Sequence, residues 1–186
     1  MKKVLSLVLV LMLCLAMSAM AATSPDVSAI IANIAAITAT ATTENGSALS
    51  IGPDVTDEAI DAAEAQVTKL AGSSAEEFFG ADAAAKIAEL SSGKLVEMFP
   101  ILCSGYDASM GAVTVSFAVP SAEALTAGQK VAVAIGVPNG MEAGETVYDW
   151  TVLEGVADGN GSIVVTIDAD TMAAISVAGA MVAIYA

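Results

Sequence analysis

The chain has 186 residues, 21 acidic against 6 basic and no histidine, for a formal charge of −15. All six basic residues are lysines. Tracking a phosphate backbone needs clustered Lys and Arg, so this charge excludes a nucleic-acid partner. The lack of His excludes Ser-His-Asp and Cys-His catalysis and any imidazole metal ligand.

The first segment predicts export. Lys2 and Lys3 precede an apolar run from Val4 to Leu15, and Ala19-Met20-Ala21 supplies the small residues a signal peptidase reads. Residues 1–21 are thus expected to be a signal peptide cleaved after Ala21. An uncleaved anchor is the competing reading, since the apolar stretch approaches the ~18 residues of a span. Leu13 before Cys14 is not the small residue a lipidation site requires, so no lipid anchor and no stable membrane span are expected in the mature chain. Processing removes two of the six lysines and no carboxylate, leaving the exported chain soluble and averse to anionic surfaces.

Residues 22–53 form an Ala/Thr-rich N-terminal segment. Val27, Ile30, Ile31, Ile34 and Ile37 recur at helical spacing after Ser24-Pro25-Asp26, which predicts a helix start. The alternating Ala/Thr stretch that follows reaches Asn45-Gly46, a hairpin signal.

Residues 54–93 predict a helical unit. Thr56 is placed to cap a helix whose first turn holds Asp57 and Glu58. Ile60, Ala63, Val67 and Leu70 share its apolar face, and Gly72 ends it. Ser74-Ala75-Glu76-Glu77 is a capping-box pattern for a short helix carrying Phe78 and Phe79. A further helix over 81–90 places Ala84, Ile87 and Leu90 inward.

From Lys94 onward the period changes to two. Val113, Val115 and Phe117 alternate with polar or small residues, as do Val131, Val133 and Ile135, and then Ile163, Val165 and Ile167. Tyr148, Trp150 and Val152 share one face of another strand, and 180–185 is the last. With 95–104 this predicts an α+β chain: an N-terminal helical unit, then a C-terminal antiparallel β-sandwich of about six strands over 94–186.

The segments Val113-Thr-Val-Ser-Phe-Ala-Val-Pro120, Gly128-Gln-Lys-Val-Ala-Val133, Tyr148-Asp-Trp-Thr-Val-Leu-Glu-Gly155 and Asp158-Gly-Asn-Gly-Ser-Ile-Val-Val-Thr-Ile167 give a recognisable order of elements. That order resembles the C-terminal immunoglobulin-like β-sandwich modules of exported bacterial surface proteins. The resemblance spans about residues 101–186. It implies a sandwich fold and an extracytoplasmic location, and carries no catalytic residue with it.

Three sites invite chemistry. Asp158-Gly159-Asn160-Gly161-Ser162 suggests calcium, but the EF-hand spacing fails at Ile163 and Ala169, so a turn is expected and no metal site. Asp168 or Asp170 is expected to cap a helical turn. Tyr148-Asp149-Trp150 and Tyr106-Asp107 are the aromatic–carboxylate clusters of the strand region. Tyr148 and Trp150 are the residues a carbohydrate-binding module would use, while Asp149 falls on the opposite face. A lone Trp in a sandwich is more often core. An acid-pair glycosidase is a remote third reading, because no carboxylate pair stands out. Cys103, in the apolar strand Pro100-Ile101-Leu102-Cys103, is expected to be a buried free thiol, with a Cys103-linked dimer as the alternative. The expectation is an exported, non-enzymatic structural or protein-binding module at the cell surface or in the secretome. No cofactor and no catalytic residue are expected, and the partner is an extracellular protein or polysaccharide.

Overall fold

The computed structural model describes residues 25–186; the expected signal peptide and its cleavage point lie outside the described residues. Asp26 starts the first helix, α1 (Val27–Asn33), by accepting a hydrogen bond from the Ala29 amide at 3.2 Å. A 3-10 turn follows, and Ile30, Ile34 and Ile37 are buried along this stretch. Strands β1 (Thr38–Thr43) and β2 (Ser50–Pro53) come next.

The helices α2 (Asp57–Ala71), α3 (Ala75–Phe79) and α4 (Ala81–Leu90) lie where capping chemistry puts them. Thr56 caps α2, and Ser74 and Glu77 form the reciprocal capping box of α3. Gly80 joins α3 to α4 at φ +84°, a backbone conformation that a side chain would strain. No helix among the described residues is long and apolar enough to cross a membrane.

The remaining elements are β3 (Leu95–Ser104), β4 (Val113–Ala118), β5 (Lys130–Glu142), β6 (Glu145–Ala157), β7 (Ser162–Ile167), α5 (Ala169–Ala178) and β8 (Ala180–Tyr185). The eight strands among the described residues pair antiparallel in one sheet of order β1-β4-β7-β6-β5-β8-β3-β2. The two edge strands, β1 and β2, approach each other, so the sheet curls into a nearly closed barrel.

This corrects the expected helical unit followed by a six-stranded sandwich. The chain forms one continuous sheet, and the helices pack on its outside rather than preceding it. The reason lies in β5, where residues 131–136 are buried on both faces. Val131, Val133 and Ile135 point into the barrel, as Gly155 opposite Val131 shows: a Cβ there would meet Val133, Val131 and Ile163 at 2.8–3.2 Å. Phe99 and Phe117 meet edge-to-face in the same interior, with centroids 5.4 Å apart. The alternate positions Ala132, Ala134 and Gly136 are small and let helices approach the outer face. Helices α2, α4 and α5 pack on β3, β5 or β6, covering that half of the barrel.

The Asn45-Gly46 turn also differs from expectation. It joins β1 to β2, but these strands do not pair as a hairpin: β1 pairs with β4 and β2 with β3. Thr43 donates its hydroxyl to the Ser47 carbonyl at 2.9 Å, tying the turn where the two sheet edges meet.

Candidate functional site

Two places concentrate unusual features: the β5–β6 ribbon and a buried carboxylate under α1. Strands β5 and β6 are the longest among the described residues and pair along nearly their whole length, with one bulge between Pro138 and Gly140. Ala143 and Gly144, both at positive φ, close the hairpin with the backbone twist such turns favour. Neighbouring β8 reaches only Gly136 on β5, and β7 reaches only residues 155–157 on β6. Beyond those points the two strands pair only with each other, and Met141 is 72% exposed near the tip of this ribbon. An exposed ion pair of 3.0 Å between Lys69 of α2 and Glu145 holds the tip of the ribbon toward the helices.

Tyr148 and Trp150 lie on the outer face of this ribbon, with ring centroids 5.8 Å apart. The structure therefore brings together the two residues expected of a sugar platform. It also covers them: Trp150 is half-buried, 4.8 Å from Phe79 and 5.6 Å from Phe78, both on α3. Burial raises the Tyr148 phenol above its ordinary pKa. Asp149 points to the other face and is exposed.

Glu97 is the residue that sequence reasoning missed. It lies on β3 opposite Ile184, on the barrel-facing side with Phe99 and Ile101, and is fully buried. Its Oε2 accepts from Ser121 Oγ at 2.8 Å and from Asn33 Nδ2 at 3.1 Å. Its Oε1 has no partner among the described residues. Loss of hydration, only partly offset by these donors, holds its pKa above the usual carboxylate range. Asn33 and Ser121 also line an open cavity of about 280 Å³, whose rim includes Asp26 and Lys94. The signal in the sequence is a carboxylate inside Leu95-Val-Glu-Met-Phe-Pro-Ile with no cation on the same face.

The other candidates take structural places. Asp158 Oδ1 accepts from the amides of Asn160 and Ser162 at 2.7 and 2.9 Å, which makes the Asp158 run a turn and lowers its pKa. Asp168 caps α5 through the Thr171 amide. Tyr106 reaches the carbonyls of Gly111 and Ala169, and Asp107 caps a 3-10 turn at Ser109. Cys103 is a buried free thiol, and burial raises its pKa. No group of three or more Cys, Asp or Glu among the described residues is arranged to hold a metal ion.

Comparison with protein-family models, with curated proteins and with solved structures finds no match.

Proposed function

We propose that the mature chain is an exported, non-enzymatic module that binds another protein through the β5–β6 ribbon. The observation that carries this reading is the ribbon itself: residues 138–148 extend past both neighbouring strands and carry an exposed methionine, Met141, near the tip. Flexible, polarisable Met side chains are favoured at adaptable binding surfaces. Export is supported by Lys2-Lys3, the apolar run and Ala19-Met20-Ala21. The non-enzymatic reading is supported by the work the carboxylates do: Asp26, Glu77 and Asp168 cap helices, and Asp107 and Asp158 hold turns.

A photo-crosslinking side chain at Met141 tests the binding reading in the native envelope. Protein adducts from Met141, absent with the crosslinker at the even more exposed Val177 of α5, are expected. Adducts to polysaccharide alone would favour a carbohydrate-binding module, and adducts from both positions would remove the ribbon's claim. Export predicts that the secreted chain begins at Ala22; recovery of Met1 in the membrane fraction would overturn it.

A further inference from the structure

Strand β6 is paired on one side only for most of its length. Strand β5 flanks it from Glu145 to Val156, whereas β7 meets it only at residues 155–157. Among the described residues, nothing pairs with the second edge of residues 146–154. Exposure agrees: no residue from 145 to 154 is buried, although residues 131–136 of the facing β5 all are. Such an edge presents unpaired N–H and C=O groups in register and is a template for another strand.

We propose that this edge is a docking site for an extended segment of another protein, in which Lys or Arg alternates with apolar residues. The inference deepens the protein-binding reading and rests on it. An incoming strand shows its side chains to two faces in turn. One face meets Trp150, Val152 and the half-buried Phe78, which call for apolar residues. The opposite face meets exposed Asp149 and Thr151 in a chain of net charge −15, which call for cations. Glu154 lies on the Trp150 face and is paired with Lys130, as Glu145 is with Lys69. A second copy is a poor occupant. Antiparallel self-pairing would bring these acidic strands together in a chain of net charge −15, and like charges across a ladder repel.

The test is titration of the purified protein with a synthetic peptide that alternates Lys and Val and matches the open edge in length. Saturable binding should slow amide hydrogen exchange within residues 146–154 and leave β4 unchanged. The same peptide N-methylated at alternate residues keeps its charge but loses strand hydrogen bonds, so it should not bind. Asp149→Lys, at an exposed position, should weaken binding about tenfold or more without moving Tm. Equal binding by the N-methylated peptide, equal binding by a Glu/Val peptide, or saturation without exchange protection in 146–154 would each overturn the proposal. Protein adducts from Met141 alongside any of those results would leave the ribbon reading standing and remove only the edge.

Discussion

Gly136 lies directly against the ring of Trp150. The two residues are cross-strand partners in β5 and β6, and a Cβ built on Gly136 would sit 2.9 Å from three atoms of the indole. The glycine is therefore there for room, not for an unusual backbone angle. It lets the indole lie on the sheet beneath Phe78 and Phe79, so α3 is anchored through one aromatic cluster.

Gly136→Ala should cost about 1–3 kcal/mol through overpacking. Trp150→Ala should cost about 3 kcal/mol, the low end for a truncated Trp because the ring is only half-buried. The double mutant should be more stable than the sum of the two losses, since the alanine then occupies space the indole vacated. Denaturant melts of the three variants measure this. Strict additivity would show that the ring and the glycine are not in contact.

Asp168 predicts a pH-dependent cap. Its carboxylate accepts from the amide and hydroxyl of Thr171 at 2.9 and 2.8 Å, and the amide bond holds its folded pKa below the ordinary carboxylate range. A depressed folded pKa contributes stability above the unfolded pKa, and that stability is lost as pH falls through the folded one. Asp168→Ala should cost about 1 kcal/mol at neutral pH, while Asp168→Ser should keep most of the cap. The gap between wild type and Asp168→Ala should close on acidification, as thermal melts at several pH values would record.

The elements were largely legible because they are local. Capping at Thr56 and Ser74, the alternation of Val113 to Phe117, and the last strand at 180–185 are each written in neighbouring residues. Their assembly was not legible. A single sheet depends on β8 joining β5 to β3, and those pairings link residues far apart in sequence. Alternation tells which residues share a face but not which strand lies beside it. Ala132, Ala134 and Gly136 were the available hint, because small residues on one face of a buried strand signal helix packing rather than solvent. The Trp150 site was half-read: its company with Tyr148 followed from spacing, whereas its cover by α3 is tertiary. Glu97 escaped because the strand around it was read only for its apolar content.

Cys103 should react slowly with a thiol reagent in the native protein and rapidly once denatured. It is buried on β3, and its raised pKa reduces the thiolate that would attack. Rapid native labelling, or a dimer that reducing agent dissolves, would contradict this placement.

Glu97 gives the sharpest prediction. Its carboxyl group is fully buried, accepts two hydrogen bonds on Oε2, and leaves Oε1 without a partner. Burial raises its folded pKa above the unfolded value, so the native state holds its proton more tightly. Stability should then be greatest below the ordinary carboxylate range and fall as pH rises from the unfolded pKa toward the folded one. Glu97→Gln keeps an acceptor for Asn33 and Ser121 but cannot ionise. At neutral pH it should be more stable than wild type, and the advantage should vanish in acid. Asn33→Ala acts in the opposite direction at neutral pH, because it removes a donor from a buried acceptor and should cost about 1–3 kcal/mol. Urea melts of the three proteins across the acidic-to-neutral range provide the measurement. A Glu97→Gln variant less stable than wild type at neutral pH would mean that the ionised carboxylate is favoured where it lies.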